Sequence, residues 1–97
     1  MDEALSAVTA AVLADAAART GEPPTSLEIV SAAAVTWADG SLGCPQPGMN
    51  YTMALVPGYR IQVRAAGQVL DYHASRRGYF TLCPAGRAVD PIGDAAI

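Results

Sequence analysis

Between Gly40 and Asn50 the chain carries three Gly and two Pro in eleven residues, a density that neither a helix nor a central strand tolerates. This segment is a loop, and it divides the chain into two parts that must meet across it. From Asp2 to Arg19 the residues are strong helix formers, with Leu5, Val8, Val12, Leu13 and Ala16 at helical spacing on one face. Asp2 and Glu3 favour the positive start of this helix and Arg19 its negative end, and Gly21 with Pro23-Pro24 stops it. Ser26 to Trp37 is β-branched and apolar around the small residues Ser31 to Ala34. It reads as one long strand, bent at Ala32-Ala34 and followed by an Asp39-Gly40 turn.

Beyond the loop, Tyr59-Arg60-Ile61-Gln62-Val63-Arg64 alternates apolar and polar residues without a fault, as a strand with one buried and one wet face does. Ala66-Gly67 turns the chain, and Gln68 to Ala74 returns with Leu70 and Tyr72 on one side and Val69, Asp71 and His73 on the other. After a turn at Ser75-Arg76-Arg77-Gly78, Tyr79 to Cys83 forms a further antiparallel strand with Phe80 and Leu82 inward. The predicted fold is α+β, a two-layer arrangement of an N-terminal helix packed on a four-stranded antiparallel sheet whose other face is wet. Its order is similar to the cystatin-like architecture. Residues 1–83 make the single domain, and residues 84–97, with little to bury, a loosely ordered C-terminal tail. Helix and meander take nearly all the sizeable apolar side chains, so the loop is expected to add little to the core.

At 97 residues, 52% hydrophobic and 15% charged, the chain fits one small globular domain and neither a disordered acidic tail nor a charged linker. A net charge of −3 argues against a surface built for phosphates, and so against nucleic acid as a partner. No apolar run reaches the ~18 residues of a membrane span. All six basic side chains are Arg, which together with the Ala content reads as the codon bias of a GC-rich bacterium. Met1-Asp2-Glu3 lacks the basic region of a secretory leader. As written the chain is expected in the cytoplasm, or outside it if this is a mature fragment.

The run from Trp37 through Asp39-Gly40-Ser41-Leu42-Gly43-Cys44-Pro45-Gln46-Pro47-Gly48-Met49 and Tyr51-Thr52 to Ala54-Leu55-Val56-Pro57-Gly58-Tyr59 and Ile61 is long enough to be specific. With Tyr72-His73 and the late Cys83, it resembles an uncharacterised family of small bacterial domains over Ser26 to Cys83. That resemblance implies kinship, often with exported or lipoprotein-like chains, and attaches no established activity. The acidic start, read as lacking a leader, is expected to set this chain apart from the exported members.

Cys44 and Cys83 are the only two cysteines. Bridged, they would close about forty residues of chain and contribute ~4 kcal/mol through loop entropy; the other reading is two buried, reduced thiols. His73, the single His, shares a strand face with Asp71. With Cys44 these form a weak candidate catalytic set, in which the imidazole would hold the thiol as thiolate and the carboxylate would orient the ring. The plainer reading is a solvent-facing strand histidine beside a carboxylate. Cys44, Cys83, His73 and Asp71 offer ligand types without C-x-x-C or H-x-x-H spacing, so no metal site is predicted. Pro45 and Pro47 remove amide donors and no helix follows the glycines, so the loop is no phosphate cradle and no cofactor is implied. Trp37 and Tyr72 are expected in the core, and Arg60, Arg64, Arg76 and Arg77 on the wet face and turn.

The residues favour a non-enzymatic binding module. Its loop, stiffened by Pro45 and Pro47 and stapled at Cys44 if the two cysteines are bridged, would present Pro45, Gln46, Pro47, Gly48, Met49 and Tyr51 to a protein or peptide, one version being a proteinase inhibitor. The alternative is a small thiol-dependent enzyme or redox protein using Cys44 with His73. A third reading is a structural domain whose sheet edge pairs with a neighbour. The sequence names no partner and sets no oligomeric state.

Overall fold

The computed structural model describes residues 3–94. Helix α1 (Glu3–Thr20) ends where the Gly21 N–H donates to the Ala17 carbonyl at 2.9 Å, with Gly21 in the left-handed conformation that closes a helix. Asp2, assigned by its charge to the helix start, lies outside the described residues, as do residues 95–97 of the tail. A short 3-10 turn (Pro24–Ser26) leads into the sheet. Its strands are β1 (Glu28–Trp37), β2 (Val56–Ala65), β3 (Gln68–Ser75), β4 (Phe80–Cys83) and the two-residue β5 (Gly93–Asp94). They lie antiparallel in the order β4-β3-β2-β1-β5. The expected α+β architecture is therefore present, an N-terminal helix on a four-stranded open antiparallel sheet, with β5 as a small addition opposite Val35 and Thr36.

β1 is irregular between Ile29 and Ser31, where Val30 is the extra residue, and not at Ala32-Ala34 as the run of small side chains suggested. Ala32 and Ala34 lie against the helix-side core, where small side chains let the layers approach and a bend would part them. The alternation in β2 settles that core: Tyr59, Ile61 and Val63 meet Leu5, Val8, Val12 and Ala16 of α1, joined by Tyr72 and Ala74 from β3. Leu70, Phe80 and Leu82 pack at its margin.

One polar contact ties the layers together. The buried Tyr72 hydroxyl donates to Asp15 Oδ2 at 2.6 Å, and Arg19 Nε pairs with the same carboxylate at 2.9 Å. Burial first, and then the bond to Asp15, push Tyr72 from its ordinary 10.0 up to about 12, while the Tyr72 bond is the main cause that lowers Asp15. The fold thus favours the protonated phenol. Its contribution is complete below pH 10.0 and is lost as pH rises toward about 12. Tyr72→Phe is expected to cost about 1 kcal/mol at neutral pH and to flatten the alkaline loss of stability. Urea unfolding at neutral and alkaline pH reads both effects.

Candidate functional site

The sheet face away from α1 is not wet throughout; toward the Trp37 end of β1 the Gly/Pro loop covers it. Trp37, fully buried, stands over Gly58, where an added Cβ would come within 2.8 Å of the indole nitrogen. The indole N–H donates to the Ala74 carbonyl at 3.0 Å, and the ring stacks on His73 with centroids 4.5 Å apart and planes 18° from parallel. Val35 and Leu42 complete this second apolar cluster, with Val56 against it. The loop base 41–44 is buried, which corrects the expectation that the loop adds little to the core. His73 is likewise fully buried, not solvent-facing.

The chain reaches this position through a tight turn from Ser41 to Cys44. The Cys44 N–H donates to the Ser41 carbonyl at 3.0 Å, and both central residues have positive φ, Leu42 at 57° and Gly43 at 70°. These are the dihedrals of a mirror-image type I′ turn. Leu42 there costs about 1–2 kcal/mol of backbone strain, which the burial of its side chain offsets. At Gly43 a Cβ would come within 2.6 Å of the Trp37 ring, so position 43 takes glycine on space as well as on φ. The Gly43 carbonyl accepts from the Val89 N–H at 2.8 Å, and the Gly40 N–H donates to the Thr52 carbonyl at 2.9 Å. Cys44 and Cys83 stand at disulfide distance, 39 positions apart in sequence, and tie the turn to β4.

A polar network borders the Trp37 cluster. His73 Nδ1 lies 2.6 Å from the Leu42 carbonyl and Nε2 lies 3.0 Å from Asp71 Oδ2. Both partners are acceptors, and the ring is held between them. Arg60 donates to Asp71 from Nε at 3.0 Å and Nη2 at 2.8 Å, a two-pronged pair, and from Nη1 to Asp90 at 2.9 Å. Arg60 is therefore drawn off the wet face into this network. Burial works against the Asp71 charge, but the bonds from His73 and Arg60 outweigh it and hold the carboxyl well below the usual carboxylate range.

The predicted site residues separate into two groups. Cys44 lies in the buried loop base, at disulfide distance from Cys83, while the buried His73 and half-buried Asp71 lie on β3 with both His73 nitrogens engaged. Pro45, Gln46 and Pro47 form one wall of an open groove of about 580 Å³ whose other wall is Pro84, Ala85, Gly86 and Arg87. Gly48 and Met49 are exposed beyond it, and the half-buried Tyr51 folds back so that its hydroxyl accepts from the Gln46 N–H at 3.0 Å. Among the described residues no group of three or more His, Cys, Asp or Glu side chains is placed to hold a metal ion. No described helix is long and apolar enough to cross a membrane. Sequence reasoning passed over Met53 and Leu55, legible as apolar residues beyond the last loop glycine. It also passed over Arg87, for which no spacing gives a signal.

Two substitutions separate the roles of this layer. Asp71→Asn leaves Arg60 and His73 without their charged acceptor and is expected to cost about 2–3 kcal/mol, less than for a fully buried pair because Arg60 is partly exposed. Asp90→Asn, on an exposed carboxylate, is expected to cost under about 1 kcal/mol. Because the fold depresses Asp71, its contribution is present above the ordinary 3.8 and is lost as pH falls further, so Asp71→Asn also flattens the acid limb of a stability profile. Replacing Cys44 and Cys83 together by Ser is expected to lower stability by ~4 kcal/mol from chain entropy, read by urea unfolding of the oxidised chain and the variant.

One family model, described as a domain of unknown function (DUF8738), matches residues 9–83, more than half of the chain. No curated protein and no solved structure matches.

Proposed function

We propose that this chain, which belongs to the DUF8738 family, is a non-enzymatic module that binds a protein or peptide through the tip of its stapled loop. The observation that carries this reading is a contrast within one loop. Its base, residues 41–44, is buried, bonded to neighbouring segments and bridged to β4. Met49 beyond that base, and Met53 and Leu55 between the Gly40–Thr52 bond and β2, have 56%, 88% and 62% of their surface open. Large exposed apolar side chains on a segment held in place are the composition of a contact surface. A loop already held in place gives up little conformational freedom on docking, and Met side chains adapt to the partner's relief. Insertion of such a tip into a partner's cleft is also how a proteinase inhibitor of this kind would act. The joined sulfurs favour this reading over thiol chemistry, since a disulfide sulfur is not a thiolate nucleophile.

The oxidised chain, immobilised and exposed to an extract of its source organism, is expected to retain a partner that Met49→Ser/Met53→Ser/Leu55→Ser loses, with affinity down about tenfold or more. Val69→Ser, at an exposed residue of β3, is the control and should retain it. Retention of the same proteins by the triple variant would refute the loop-tip reading.

A further inference from the structure

Arg87 is half-buried and forms no ion pair among the described residues. It lines two adjoining spaces. One is the open groove between Pro45–Pro47 and Pro84–Gly86. The other is a smaller and more enclosed cavity of about 90 Å³ between the loop and β4, lined also by Ser41, Gln46, Tyr51, Tyr79 and Thr81. No Asp or Glu lines either space.

The side chains that line the cavity are rich in hydrogen-bond donors. Ser41 Oγ donates its proton to Asp39 at 2.6 Å and has none left for a guest. The Tyr51 oxygen already accepts from the Gln46 N–H, so its own proton is free to be donated. The hydroxyls of Tyr79 and Thr81 make no hydrogen bond among the described residues. Arg87, Tyr51, Tyr79 and Thr81 thus line the space with a cation and three hydroxyls able to donate, beside the Gln46 amide. Its volume is enough to admit a carboxylate group.

We propose that this cavity receives the carboxylate of a peptide whose chain lies along the adjoining proline groove; the inference rests on the peptide-binding reading above. A guanidinium pairs with a carboxylate through two parallel N–H bonds, and hydroxyl donors complete the shell of its oxygens. The open, largely apolar groove leaves room for the residues that carry it. The carboxylate is either a chain terminus or an Asp or Glu side chain.

The test is an amide chemical-shift titration of the isotope-labelled, disulfide-intact chain. The probes are acetate, acetyl-Ala-Pro as the free acid, the same dipeptide as its amide, and acetyl-Pro-Glu-Pro-amide. Acetate is expected to give saturable shifts at Gln46, Thr81 and Arg87. The free acid binding more tightly than acetate identifies a terminal carboxylate, the Glu peptide doing so identifies a side chain, and the dipeptide amide should not bind. Arg87→Gln should weaken binding about tenfold or more, Arg87→Lys should restore part of it, and Arg76→Gln should change nothing. Acetate shifts no larger than those from equal chloride, an Arg87→Gln variant that titrates like the parent, or no peptide tighter than acetate would each overturn the proposal. A partner still lost by the Met49/Met53/Leu55 variant under those results would leave the loop-tip reading standing and refute the subsite alone.

Discussion

Trp37 has no surface open to solvent, and the loop base closes directly over it at Gly43. Its ring is enclosed by two glycines from opposite sides of the chain: Gly58 in β2 beneath it and Gly43 of the loop against its edge. A methyl group at either position would collide with the indole. The N–H finds the Ala74 carbonyl, so the polar tip is satisfied without water. A large aromatic side chain buried this way contributes several times the apolar area of an alanine. In a domain with one helix and a thin, Ala-rich core that area is a large share of what holds the second layer in place.

The polar network and the apolar cluster depend on each other. His73 stacks on Trp37 and reaches the Leu42 carbonyl on one side and Asp71 on the other. The Leu42 carbonyl points to His73 because Leu42 adopts a left-handed backbone, and Leu42 tolerates that backbone because its side chain fills the space beside Trp37 and Val35. Removing any one of these leaves either a buried polar group without a partner or a strained residue without its compensation. The bridge from Cys44 to Cys83 closes the same unit covalently, from β4.

Much of this fold is legible in the sequence, and what is not has a common cause. Helical spacing from Leu5 to Ala16 and the strict alternation from Tyr59 to Arg64 report which face of an element is apolar, and both were placed correctly. Alternation does not report whether the opposite face is covered, so His73 reads as wet although the loop lies over it. Ser41-Leu42-Gly43-Cys44 is too short to show any period, and a glycine needed for closeness to a distant Trp looks like any turn glycine. Of the candidate contact residues, Pro45 to Met49 stand out by composition, whereas Arg87 comes near them only because the chain after Cys83 returns to the loop. Such a placement is a tertiary event without a local signature.

A loop with a buried base and an open tip separates two demands that conflict in a small domain. The base contributes to stability by covering the sheet, and the tip stays free of the core and available for contact. This division rests on Trp37 being sealed by the loop, and Trp37 is the only tryptophan, so its fluorescence reports on that seal alone. Acrylamide quenching of the native, oxidised chain should be weak and should rise once Cys44 and Cys83 are reduced. Quenching of the oxidised chain as efficient as that of free tryptophan would show an open ring and end the case for a loop seated on the sheet.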